Sequence, residues 1–151
     1  MRVLIAGSRG QLGRDLLRVF SREGEAVGMH RPELDIVNRS SVERAVRQTS
    51  PEIVINAAAY TNVEGAEDHE AEAFAINEGG AKTVALAARA AGLPILHIST
   101  DFVYDGRKTT PYEPTDPPNP LSVYGRSKLA GDVAVRESNP RHFILRTAWF
   151  T

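Results

Sequence analysis

Apolar and polar positions alternate along this chain in a repeating rhythm of short runs and longer periodic stretches. Residues 2–6 (RVLIA) form an almost unbroken apolar run closed by Gly7, the mark of a strand buried on both faces. In residues 11–24, Leu12, Leu16, Val19 and Phe20 recur at helical spacing, and Gly24 ends the pattern. Residues 25–30 read as a second strand. A short helix follows, with Ser40 or Ser41 as its N-cap, Gln48 near its end and Pro51 marking its exit. Residues 52–59 (EIVINAAA) predict a third strand, and an alanine-rich helical pattern covers about 66–91, ended by Gly92 and Pro94. Residues 94–100 (PILHIST) predict a fourth strand. Pro111, Pro114, Pro117, Pro118 and Pro120 exclude regular structure from the segment 105–120. A helix at about 122–137 and a last strand at 142–150 complete the reading.

Strands alternating with helical segments predict a doubly wound parallel sheet of the Rossmann type, α/β in class, with helices on both faces. Right-handed crossovers leave few topologies for such a sheet, and ligands bind at its C-terminal strand ends. The unusual stretches of this chain all fall at those ends: GSRGQLG, HRPELD, NAAAYT, STDFVYDG and TAWFT.

Length and composition narrow the function. A chain of 151 residues suits one domain with a real core. Eighteen basic and nineteen acidic residues are interspersed and leave a net charge of −1, which argues against nucleic acid or an anionic membrane as partner. The absence of cysteine removes disulfides and thiolate metal sites, and His30, His69, His97 and His142 lack metal-ligand spacing, so no metal site is predicted. The run Val3 to Ala6 is too short for a signal peptide, and nothing approaches the ~20 apolar residues of a membrane span. The expectation is a cytoplasmic protein.

GSRGQLG sets Gly7, Gly10 and Gly13 at a three-residue rhythm between the first strand and the first helix. The first glycine suits a tight turn, the second lets a pyrophosphate approach the backbone, and the third lets the helix pack closely on the sheet. The helix N-terminus then offers free N–H groups and a positive dipole to phosphate. No Gly-Lys-Ser/Thr ending follows, so an ATP-type loop is not indicated. After the second strand stand His30 and Arg31 rather than the acid that binds an adenosine ribose. Arg31 suits a ribose 2′-phosphate through its charge and forked donors, which favours NADPH, with NADH as the lesser option. An exposed loop arginine with no ligand reads equally well from the residues alone.

Tyr124 and Lys128, four positions apart, would project from one side of a helix. A phenol titrates near 10 in isolation, and a neighbouring cation favours its ionised form and brings it toward acid/base use. By itself this spacing also describes ordinary helix surface; the phosphate loop in the same parallel-sheet pattern is what gives it weight.

With these features in order, the sequence resembles the extended short-chain dehydrogenase/reductases and, more narrowly, the dTDP-4-dehydrorhamnose reductase family. The resemblance runs through GSRGQLG, ELDI, VINAAAYTNVEGAE, ISTDFVYDG, PYEPTDPPNPLSVYGRSKLAGD and LRTAW. It implies that Gly10, Gln11 and Leu12 line the pyrophosphate, that Asp35 and Ile36 lie near the adenine, and that Ala59, Tyr60 and Thr61 flank the cofactor. It places Ile98 near the nicotinamide. Thr100 would hydrogen-bond the reacting oxygen, and Asp101 and Trp149 would touch the sugar. Tyr124 would deliver the proton, and Lys128 would bind the nicotinamide ribose while lowering the tyrosine's pKa. The implied reaction is reduction of the 4-keto group of a nucleotide-linked deoxysugar in dTDP-L-rhamnose synthesis, with a homodimer as the full-length form.

Departures accompany the resemblance. Asp132 stands where the family usually has glutamate, VEGAE differs from the usual aspartate-containing version, and TAWFT is less regular. Asn77 fits a recurrent asparagine, read here as a structural hydrogen-bonder. Such reductases carry roughly another hundred residues as a substrate-binding domain. Residues 1–151 are therefore expected to be the cofactor-binding domain of a longer enzyme, inactive alone. The competing functions are an epimerase or dehydratase of the same superfamily and a non-catalytic, reductase-like regulatory subunit.

Overall fold

The computed structural model describes residues 1–148. In chain order it contains β1 (Arg2–Ala6), α1 (Gln11–Glu23), β2 (Glu25–Met29), α2 (Arg39–Thr49), β3 (Ile53–Asn56), α3 (Val63–Asp68) and α4 (Glu70–Phe74). A π-helical turn (Ala75–Gly80) runs into α5 (Ala81–Ala90), followed by β4 (Ile95–Thr100), a 3-10 turn (Asp101–Val103), α6 (Val123–Ser138) and β5 (His142–Thr147). The five strands are all parallel in the order β2-β1-β3-β4-β5. The order reverses between β1 and β3, which is where a doubly wound sheet opens its ligand crevice.

The apolar runs become the central strands because both faces are covered there. Leu4, Ala6, Val54 and Ile95 pack under α2, α5 and α6 through Val42, Val46, Val84, Ala85, Ala88 and Val135. Val3, Ile5 and Ile55 point to the other face, against Leu16, Leu17 and Phe20 of α1. The two faces are unequal: among the described residues three long helices cover one and α1 alone covers the other. In the β4–β5 register Phe143 lies beside Leu96 and Leu145 beside Ile98, on the α1 face, and both β5 side chains are exposed.

Three local expectations are corrected. The cap of α2 is Asn38, whose side chain accepts from Ser41 N–H, while Ser41 Oγ is occupied in accepting from Asp35 N–H. The helical pattern predicted over 66–91 starts earlier, at an Asn62 cap, breaks at His69, and widens into the π turn. Alanine-rich periodicity carries no signal for such a widening, because the extra residue per turn is fixed by what the turn touches. The third strand ends at Asn56, and residues 57–59 already belong to the loop above it.

Candidate functional site

The glycine loop is built by a close approach. Gly7 leaves β1 with φ +85°, and its N–H donates to the Met29 carbonyl at the end of β2. A Cβ on Gly13 would collide with the Gly7 carbonyl, so only glycine allows the first turn of α1 to lie this close to the end of β1. Gly10 is the N-cap of α1 and brings no capping side chain of its own, and no acid stands in the helix's first turn. Among the described residues, a Cβ on Gly10 would touch only the Gly7 carbonyl. A glycine-lined turn running into a helix with no acid in its first turn fits a pyrophosphate. Gln11 is exposed and Leu12 half-buried beside this opening.

Beyond β2, Arg31 is exposed and its Nη2 pairs with Asp35 Oδ1 at 3.1 Å. Two predicted cofactor residues are thus partners of each other, and the Asp35 charge would compete with a 2′-phosphate for Arg31. Ile36 is 4% exposed and belongs to the core, packed against Gly80. It can form a floor for a base but is already buried without one.

The other candidates gather at the ends of β3 and β4. Ala59 and Tyr60 are half-buried and Thr61 is exposed, all in the loop after β3. Thr100 ends β4 and caps the 3-10 turn, its Oγ1 accepting from Phe102 N–H at 3.2 Å and donating to Asp101 Oδ1 at 3.3 Å. Tyr124 stands in the first turn of α6, its ring edge-on to Phe102 at 5.6 Å between centroids. Burial and the Asp101 carboxylate push the Tyr124 phenol above its ordinary value, and a hydrogen bond with Thr100 pulls it part-way back. Lys128 is 3% exposed, and burial brings its ammonium down to about 8, with Asp132 acting the other way. Its Nζ donates to the Ile98 carbonyl at 2.7 Å.

This geometry corrects one expectation. Lys128 is not among the groups that move the Tyr124 phenol, which sits high rather than low. The Lys128 ammonium is engaged by the Ile98 carbonyl, and the phenol's state is set by burial, Thr100 and Asp101. A phenol held high remains protonated at neutral pH, the state a proton donor needs. Trp149 lies outside the described residues.

Several residues that position this cluster carry no motif of their own. Asn77, in the π turn, accepts from Tyr60 N–H at 2.8 Å and donates to the Tyr60 carbonyl at 3.1 Å and to Ser127 Oγ at 2.9 Å. It ties the loop after β3 to α6 one residue before Lys128, and its expected structural role holds. Glu67 of VEGAE accepts from Val123 N–H at 2.9 Å, satisfying an orphan donor at the N-terminus of α6 beside the cap formed by Ser122. Side chains at 125 and 131 would collide with the Phe102 and Asn77 carbonyls, so Gly125 and Gly131 let α6 press against both elements. The sequence signal was available: two glycines six apart flanking Lys128.

Comparison with known proteins shows the family. The sequence model of the family described as "RmlD substrate binding domain" matches residues 1–150. Curated dTDP-4-dehydrorhamnose reductases from Sinorhizobium fredii and Mycobacterium tuberculosis are 44% and 42% identical over 99% and 98% of this chain. Each match covers 50% of the relative, so the chain spans about half the length of these proteins. A crystal structure of the Bacillus anthracis dTDP-4-dehydrorhamnose reductase in complex with NADP superposes with TM-score 0.94 at 39% identity, over 98% of this chain and 53% of that one. A UDP-glucose 4-epimerase from Brucella ovis in complex with NAD shares the fold, with TM-score 0.89 at 21% identity over 96% and 51%. On the match along almost its whole length, this chain belongs to the RmlD substrate binding domain family, together with its dTDP-4-dehydrorhamnose reductase relatives.

Proposed function

We propose that residues 1–151 are the cofactor-binding domain of an NADPH-dependent reductase that converts dTDP-4-dehydro-L-rhamnose to dTDP-L-rhamnose. The observation that carries this reading is the meeting of Thr100, Asp101 and Tyr124 at the end of β4, over a buried Lys128, on the same sheet edge as the glycine loop. Gly7, Gly10, Gln11, Leu12 and Gly13 would hold the pyrophosphate, Arg31, Asp35 and Ile36 the adenosine end, and Ala59, Tyr60, Thr61 and Ile98 the nicotinamide side. When bound, the reduced nicotinamide supplies hydride. Tyr124 gives its proton to the oxygen on which negative charge develops, and the Thr100 hydroxyl, swung from Asp101, stabilises that oxygen. Lys128 would hold the nicotinamide ribose. Asp101 is exposed and faces where the sugar would lie; Trp149 is proposed as its second contact.

Among the described residues no helix is long and apolar enough to cross a membrane. A cytoplasmic setting is part of the proposal, as is a homodimer. The groove between α5 and α6 supports the latter: exposed Leu86 and half-buried Leu129 and Val133 lie between Glu78, Glu137, Lys82, Arg89 and Arg126. That mixture of signs is what a second copy of the same face could complement.

Two measurements test the reading. Calorimetric titration of the chain with NADPH and NADH at fixed salt should show binding of both, tighter for NADPH. A chain extended to the relatives' length should reduce dTDP-4-dehydrorhamnose, and the 151-residue chain should not. The clamp on the dTDP portion would come from outside this domain, and misplacing a reacting carbonyl by about 1 Å can cost ~100-fold. An extended chain that binds nucleotide without turnover would point to the regulatory role instead.

A further inference from the structure

Beneath Lys128 lies a charged layer that the proposed chemistry does not use. Asp132 is one helical turn beyond Lys128 and two beyond Tyr124, so the three form one stripe of α6. Its side chain is 1% exposed. Asp132 Oδ2 accepts from Arg146 Nε of β5 at 3.1 Å. Asp132 Oδ1 has no hydrogen-bond partner among the described residues and faces His97 Nε2 of β4 at 3.8 Å, likewise without one.

The surrounding hydrogen bonds fix the state of that histidine. Asn56 Oδ1 accepts from Ala58 N–H at 3.2 Å, which turns the Asn56 amide nitrogen toward His97 Nδ1, 3.2 Å away. His97 Nδ1 is therefore an acceptor, and the ring proton of the neutral tautomer is on Nε2, pointing at Asp132. Burial and the Lys128 charge both push His97 well below its ordinary value, so it is neutral and the close approach to Asp132 is no ion pair. Arg146 is also engaged by Tyr104, whose hydroxyl accepts from Nη1 at 2.8 Å and donates to the Glu113 carbonyl in the proline-rich loop.

The charged and titratable groups facing Lys128 are then Tyr124 and Asp132 on its own helix, neutral His97 on β4, and Arg146 on β5 behind Asp132. Asp101 faces Tyr124 from the end of β4. Among the described residues that face Lys128, only Asp132 offers a negative charge. With one oxygen on the Arg146 guanidinium and the other opposite His97, the buried Asp132 carboxylate still sets a negative charge one helical turn from Lys128, without a direct ion pair between them.

We propose that Asp132 is a positioning residue for the reductase site: its buried carboxylate, fixed by Arg146, holds Lys128 as a cation beneath Tyr124. Without it, a wholly buried amine would hold its proton less tightly and serve a ribose hydroxyl less well as a donor cation. The pair links the proton donor to the proline-rich loop through Arg146 and Tyr104. This inference rests on the reductase reading for its meaning, but its test does not depend on turnover.

The chain has three lysines, Lys82, Lys108 and Lys128. With 13C at lysine Cε, each can be titrated by NMR, and Lys128→Met identifies the resonance of Lys128. In the wild type that resonance should titrate near pH 8, while Asp132→Asn should lower its midpoint by at least about one pH unit, a tenfold loss of proton affinity. Asp132→Glu should stay closer to wild type than to Asp132→Asn. Arg146→Gln, which removes the competing charge and keeps an amide donor, should raise the midpoint; it decides the matter if Asp132→Asn does not fold. A merely structural aspartate would leave the Lys128 midpoint unmoved in any folded variant. An unmoved midpoint in Asp132→Asn, or a fall in Arg146→Gln, overturns the proposal. NADPH titration of the same samples separates the two levels: failure of the wild type to bind NADPH removes the cofactor reading, whatever Lys128 does.

Discussion

The two ends of the candidate site are made in different ways. At the glycine loop, a stretch of seven residues carries its own instructions: Gly7 turns, α1 starts at Gly10, and Gly13 packs on the Gly7 carbonyl. At the Tyr124 end, α6, the 3-10 turn after β4, the π turn, Glu67, His97 and Arg146 all converge from separate places in the chain. A local site is robust because its geometry is fixed by backbone sterics. An assembled site depends on long-range packing, and it can hold groups in states they would not adopt in water. Lys128 near 8 and a raised Tyr124 phenol are such states. The glycine loop works instead with backbone dipoles.

The comparison can be broken most directly at Tyr124. In a chain of the relatives' length, Tyr124→Phe should lower turnover by about 10²–10⁴-fold, the span of a general acid, with NADPH affinity nearly unchanged. Near-normal turnover would mean that the assembled end is not the proton donor.

Lys128 sharpens it in energetic terms. Holding a buried ammonium with a pKa near 8, against 10.5 when exposed, costs about 3 kcal/mol at neutral pH. The sign follows from proton counting: between about pH 8 and 10.5 the unfolded chain binds the proton and the folded chain does not, so Lys128 makes stability rise with pH there. Lys128→Met should therefore raise stability at pH 7, by up to about 3 kcal/mol less the lost bond to the Ile98 carbonyl. It should also remove that rise and weaken NADPH binding. Urea melts at pH 7, 8.5 and 10 check both parts. A destabilised Lys128→Met protein at pH 7 would show that the amine is a net structural asset.

Asn77 tests how the assembled end is held. Asn77→Ala leaves Tyr60 N–H, the Tyr60 carbonyl and Ser127 Oγ without their shared partner, an expected loss of about 1–3 kcal/mol. Because Ser127 precedes Lys128, the NMR midpoint of Lys128 should also move, whereas an equally destabilising change in β2 should leave it in place.

The smallest effect is expected at Arg31. It is exposed and already paired with Asp35, so Arg31→Ala should narrow the preference for NADPH over NADH by less than about tenfold, and less again at high salt. A larger change would mean that the Arg31–Asp35 pair opens fully when nucleotide binds.

Much of this molecule could be read one residue at a time. The strand runs 2–6 and 94–100, the helix beginning at Gln11, the glycine loop and the Tyr124–Lys128 spacing are local periodicities, and backbone sterics turn them into elements whatever the rest of the chain does. The Asn62 cap and the Ser122 cap were legible in the same way, from side chains three residues ahead of the amides they accept from. What only the tertiary structure decided is the electrostatic state of the site. Whether Lys128 is charged, whether Tyr124 sits high or low, which nitrogen of His97 carries the proton and what Asp132 holds depend on burial and on partners 14 to 41 positions away. Desolvation and short-range hydrogen bonds set those states, and both are properties of neighbours in space that no spacing along the chain contains.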